Sequence, residues 1–117
     1  MIVWGHFQTG LKIPFSEFWP LYLNAHRHPG TRAAHYTATA LGGISTIGAI
    51  QYGQAGFMAA GITLSYALAV CSHWLIEGNQ PLIRVNAFHG ARADLWMCWL
   101  ALTGRLGKEY RRLGLAD

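Results

Sequence analysis

From residue 33 to residue 76 the chain carries no Lys, Arg, Asp or Glu, and charge bounds this apolar block on both sides. A polar, glycine-bearing stretch, Gln51-Tyr52-Gly53-Gln54-Ala55-Gly56, divides it. Each part runs to roughly 18–21 residues, enough at about 1.5 Å per residue to cross a hydrocarbon core of about 30 Å. Small residues recur at helical spacing: Ala34, Ala38 and Gly42 in the first part, Gly56 and Ala60 in the second. Such rows let helix backbones approach closely where lipid gives no hydrophobic drive. The pattern predicts a transmembrane hairpin over 31–50 and 56–77, its first arm diluted by Thr, Ser and Gly.

The flanks read differently. Over about 14–28, Phe15, Phe18, Trp19, Tyr22 and Leu23 recur at helical spacing, an aromatic-rich face suited to a bilayer interface or to ordinary packing. Pro20 falls inside this helix and predicts a kink or a break. Pro29-Gly30 punctuates the chain, and Thr31 can cap the next helix. After Glu77-Gly78-Asn79-Gln80-Pro81, the apolar stretch 95–103 is too short to span alone. Residues 91–112 are therefore expected to form a short or re-entrant helix with a basic tail. The fold class expected is all-α, a single integral membrane domain of 1–117.

Composition agrees with this reading. Only 12% of the 117 residues are charged and 52% are hydrophobic, whereas a soluble domain of this size needs a largely polar shell. The net charge is +4, but the basic residues flank the neutral block instead of marking its helices. That excludes a nucleic-acid reader and fits membrane lipid as the partner. With two spans all nine basic residues share one side, so both termini are expected on the cytoplasmic side. Cys71 and Cys98 each lie in an apolar run, without a CxxC, and read as buried small hydrophobes.

Six histidines are many for so apolar a chain: His6, His26, His28, His35, His73 and His89. The turn between the arms centres near residue 54, and His35 and His73 each lie 19 residues from it. An antiparallel hairpin brings them to the same depth. The short Pro29-Gly30 turn ties His26 to that end, and Glu77 stands four residues beyond His73 on the same helical side. Ionisable groups near a bilayer are costly to desolvate and usually pair or bind something. Imidazoles with a carboxylate suit Fe(II) or zinc. The bland readings are solvated helix-end histidines and a Glu77–Arg84 pair. Asp94 reads as a helix-dipole charge or as a group orienting a ligand histidine. Arg27, Arg32 and Arg84 are candidates to meet an anionic substrate. Two other classes stay open: a b-type haem carrier with His35 and His73 as axial ligands, and a non-catalytic accessory protein.

At these residues the sequence resembles a known family. Phe18-Trp19-Pro20-Leu21-Tyr22-Leu23 followed by His26-x2-Pro29-x-Thr31-Arg32-x2-His35 is similar to its opening motif. Ser72-His73-x3-Glu77-x-Asn79-x-Pro81, with Asp94 downstream, is similar to its second motif, and the resemblance spans about 15–97. This small membrane family, formerly a domain of unknown function, includes a fungal Fe(II)-dependent 2-hydroxy fatty acid dioxygenase. The resemblance implies Fe(II) as cofactor, with O2 and a long-chain 2-hydroxy fatty acid as substrates and one-carbon shortening (alpha-oxidation) as the reaction. It implies His26, His35 and His73 as the metal histidines and Glu77 as catalytic residue or further ligand. Asn79, Asp94 and Arg32 are then the supporting candidates. The chain departs from the family by being shorter, with a tighter turn between its arms.

Overall fold

The computed structural model describes residues 13–82 and 86–115, and these are all helical, with no strand among them. Five α-helices follow in order: α1 (Phe15–Asn24), α2 (Pro29–Tyr52), α3 (Ala55–Ser72), α4 (Ala87–Leu102) and α5 (Leu106–Arg112). A π-helical turn (His73–Glu77) continues α3. The chain divides into two compact units, His26–Pro81 and a unit built from the two ends of the chain.

The central unit is an antiparallel helical hairpin. Pro29 opens α2 at a position that needs no N–H donor, and His28 caps it, its ring Nδ1 accepting from the Gly30 amide at 2.9 Å. Thr31, expected as the cap, lies inside the first turn instead and is fully buried. At its other end α2 stops at Gly53, whose positive φ of 63° suits glycine and reverses the chain toward α3.

Small residues bring the two arms together. A β-carbon on Gly61 would collide with the Ser45 side chain, and one on Gly42 would come tightly against the Ser65 hydroxyl at 3.2 Å. Ser65 donates its hydroxyl proton to the Ala38 carbonyl at 2.7 Å. Packing of this kind works where hydrophobic burial does little.

Away from that seam the arms are apolar and uncovered. Ile44, Ile47 and Ile50 on α2 are 66–79% exposed, and Leu75 is 83% exposed. Residues Ala55–Glu77 form the one described helix long and apolar enough to cross a membrane, and only 11% of its apolar window is buried. The core helix of a soluble protein would be mostly buried. The Thr-, Ser- and Gly-rich α2 does not meet the same test. Cys71 lies on this uncovered surface, where a buried position was expected; Cys98 is half-buried, and neither forms a disulfide.

In the terminal unit α1 turns its aromatic face inward. Phe18, Trp19, Tyr22 and Leu23 are all buried, with Phe18 beside His89 of the same unit. Its polar edges are tied off by hydrogen bonds. The Trp19 indole donates to Glu109 at 2.7 Å, and the Tyr110 hydroxyl donates to the Leu23 carbonyl at 2.8 Å. The Arg112 guanidinium also grips Glu109 and, with the indole, holds its carboxyl below the usual carboxylate range. Pro20 sits within α1 without ending it. Asn86 caps α4 by accepting from the His89 amide, so that helix begins earlier than residue 91.

Gly61→Ala is expected to destabilise the hairpin by about 1–3 kcal/mol, because Ser45 and its backbone must give way. Gly43, where a β-carbon meets nothing, supplies the control: Gly43→Ala should be neutral or slightly stabilising. Unfolding in mixed micelles measures both; equal midpoints would contradict this account of the seam.

Candidate metal centre

Three imidazoles converge at the open end of the hairpin. His26 precedes the turn into α2, His35 stands in the second turn of α2, and His73 opens the π turn. His26 is 0% exposed, His73 1% and His35 8%. The Nε2 atoms of His26 and His35 lie 3.2 Å apart, and those of His35 and His73 also 3.2 Å. One ligand atom from each ring falls within 4.8 Å of the others, and no other described group of His, Cys, Asp or Glu does this.

The surrounding chain fixes these rings. Gly78 ends the π turn with φ 77°, a left-handed conformation natural to glycine. Its amide and that of Asn79 both donate to the His73 carbonyl, at 2.7 and 3.0 Å. The reversal returns Asn79 to the His73 ring, where its Oδ1 meets Nδ1 at 2.7 Å. An amide oxygen there places the neutral ring's proton on Nδ1 and leaves the Nε2 lone pair facing the cluster.

Arg32 braces the His26 loop, its guanidinium Nη1 donating to the carbonyls of His26 and Arg27 at 2.9 and 2.8 Å. Glu77, half-buried, accepts from the His28 amide at 3.0 Å and so fastens the same loop to the π turn. Gly30 makes that approach possible: a β-carbon would press on the His28 ring and on Ile76.

The donor set suits a cation. His35 Nε2 faces a neighbouring Nε2 on two sides, and a single ring proton can at best be shared between them. A divalent ion would satisfy all three lone pairs. Two nitrogens 3.2 Å apart on a metal at about 2.1 Å subtend about 100°, between facial octahedral and tetrahedral angles. Bis-histidine haem ligation does not fit, because a flat macrocycle cannot enter between nitrogens 3.2 Å apart with a third ring beside them.

The other sequence candidates fall in different places. Asp94 lies within α4 of the terminal unit, where the Tyr22 hydroxyl donates to it at 3.4 Å. Burial and that carboxylate push the Tyr22 phenol well above its usual range. His89, also in that unit, sits among Phe15, Phe18 and Phe88 and bonds the Ile13 carbonyl. His6 and Arg84 lie outside the described residues. Sequence reasoning missed the π turn, which has no periodic signature. It also missed the capping role of His28, although a polar residue before Pro at a helix start was a readable signal.

Fold and site together define an all-helical protein with a buried three-histidine cluster that could hold a metal ion. A family model described as 2-hydroxy-palmitic acid dioxygenase Mpo1-like matches residues 13–106, and the chain belongs to this Mpo1-like family. No curated protein and no solved structure gives a significant match.

Because Asn79 sets the His73 tautomer, Asn79→Leu is expected to weaken divalent metal binding about 10–100-fold, as loss of such supporting partners commonly does. Asn79→Asp should retain most of the affinity. Competition against a chromophoric chelator measures both, and undiminished affinity in Asn79→Leu would contradict the role given to the amide.

Proposed function

We propose that this chain is a membrane-embedded, Fe(II)-dependent dioxygenase that shortens long-chain 2-hydroxy fatty acids by one carbon. The observation that carries the reading is the buried convergence of His26, His35 and His73 in a chain of the Mpo1-like family. These three histidines are assigned as the metal ligands. Three imidazoles leave coordination positions for exogenous ligands. When bound, Fe(II) supplies the redox chemistry that couples O2 to cleavage of the carbon–carbon bond. With one O2, the products that balance are the shorter acid, CO2 and water.

The protein's own groups supply order. Asn79 keeps the His73 lone pair directed inward, and Arg32 and Glu77 hold the His26 loop closed on the cluster. Glu77, fixed by one oxygen to the His28 amide, is also the carboxylate assigned as acid–base group or further ligand. Asp94 is retained as a supporting candidate because it falls downstream of the family's second motif. Burial of all three rings limits water at the reacting centre.

The bilayer setting is argued from the uncovered apolar surfaces of α2 and α3 and the one-sided basic residues. In this reading both arms cross the membrane. The turn at 51–56 lies on the side opposite both termini, which face the cytoplasm. An amphiphile would then present its head to the cluster while its tail stays in lipid. The 2-hydroxyl and carboxylate of such an acid can chelate a metal in a five-membered ring, which explains why the 2-hydroxy acid is the substrate assigned.

Iron-loaded protein in detergent is expected to form, from long-chain 2-hydroxy acids, an acid one carbon shorter. Product formation should depend on O2 and be suppressed by chelator. The simple fatty acid, lacking one chelating oxygen, should react far more slowly, and His73→Ala should give none. Mass spectrometry of the products decides it; no shortened product at several chain lengths, despite stoichiometric Fe(II), would remove the dioxygenase reading.

A further inference from the structure

Two buried polar atoms have no hydrogen-bond partner among the described residues, His89 Nδ1 and Thr31 Oγ1. Thr31 belongs to the central unit and is 0% exposed. Other helical threonines of this chain satisfy their hydroxyls locally. Thr37, Thr46, Thr63 and Thr103 each donate to the carbonyl four residues back, at 2.8–2.9 Å. Thr31 is denied that bond. Its residue four back, Arg27, precedes α2, and the Arg27 carbonyl is taken by the Arg32 guanidinium.

An unpartnered buried hydroxyl costs about 1–3 kcal/mol, so its position calls for a physical account. Thr31 stands one turn before His35 on the same face of α2. Helical side chains lean toward the N-terminus, so the His35 ring extends over the turn that carries Thr31. That first turn also packs against the π turn bearing His73, with Ile76 pressed to Gly30. Helical spacing therefore sets the buried Thr31 one turn from the residue whose Nε2 is the centre of the cluster, on the same face of α2.

We propose that Thr31 Oγ1 donates a hydrogen bond to the exogenous anionic or oxygen ligand held at the histidine-bound metal, making it a specificity-determining residue of this site. The inference rests on the metal reading above and adds a group that binds the ligand and not the metal. A donor kept dry and unpaired in the ligand-free protein loses nothing to desolvation when the ligand arrives. Its β-branch limits χ1 in a helix, which holds the hydroxyl in few orientations.

Cobalt(II)-loaded protein titrated with azide, a small anionic probe, tests this through the visible spectrum without turnover. Thr31→Val removes the hydroxyl at nearly constant shape and should weaken azide binding about 5–30-fold, while Co(II) affinity changes less than about twofold. The apo protein should be no less stable, since an unpaired hydroxyl is lost. Thr31→Ser and Thr31→Ala form a second pair, both lacking the methyl and differing only in the hydroxyl. Serine should bind azide close to wild type and alanine as weakly as valine. Azide affinity in Thr31→Val and Thr31→Ala within twofold of the hydroxyl-bearing forms would overturn the proposal while leaving the metal site intact. Failure of the wild-type protein to bind Co(II) would overturn both.

Discussion

Helices α2 and α3 meet where Gly61 leaves room for the Ser45 side chain and where the Ser65 hydroxyl reaches the Ala38 carbonyl. Two helices this apolar on their outer faces need such a close approach to fix their register, because apolar contact alone is non-directional. The register decides everything below it. It brings His35 on one arm level with His73 on the other, Nε2 to Nε2 at 3.2 Å. It also sets the π turn against the start of α2, so that Glu77 can reach the His28 amide and His26 completes the cluster.

Much of this was legible in the sequence. The uncharged block, its division at 51–56 and the equal spacing of His35 and His73 from the turn are arithmetic on residue positions. They place two histidines together whenever the arms pair. His26 followed because a turn as short as Pro29-Gly30 leaves it little freedom. What was not legible depends on backbone detail. A π turn closes its hydrogen bond one residue later than an α turn, and that places Gly78 and Asn79 where they orient His73. Thr31 looked like a cap because hydroxyls favour that position, but Pro29 fixed the first helical residue and passed the cap to His28. The aromatic face of α1 fits an interface or a core by its spacing alone. Tyr110, Glu109 and Asp94, all distant in sequence, hold its polar groups within the same unit.

The chemistry follows from the kind of ligand set this geometry allows. Three neutral imidazoles contribute no negative charge, so a divalent ion among them keeps its full positive charge for anionic ligands. A chelating 2-hydroxy carboxylate would offset one unit of that charge and form two metal bonds at once. Glu77 spends an oxygen on the backbone that carries His28, which makes it part of the scaffold as well as a source of local negative charge. Arg32 is likewise committed to the carbonyls of His26 and Arg27. Charged side chains here close the loop over the histidines.

X-ray absorption at the metal edge of anaerobically loaded Fe(II) protein, with no substrate present, tests the central claim most directly. The account predicts three imidazole nitrogens at about 2.1 Å, seen through the multiple scattering of their rings, with lighter oxygen donors completing the shell. The His26→Ala, His35→Ala and His73→Ala variants should each lose at least one ring from that signal. An iron shell free of imidazole scattering, or one unchanged in all three variants, would contradict it.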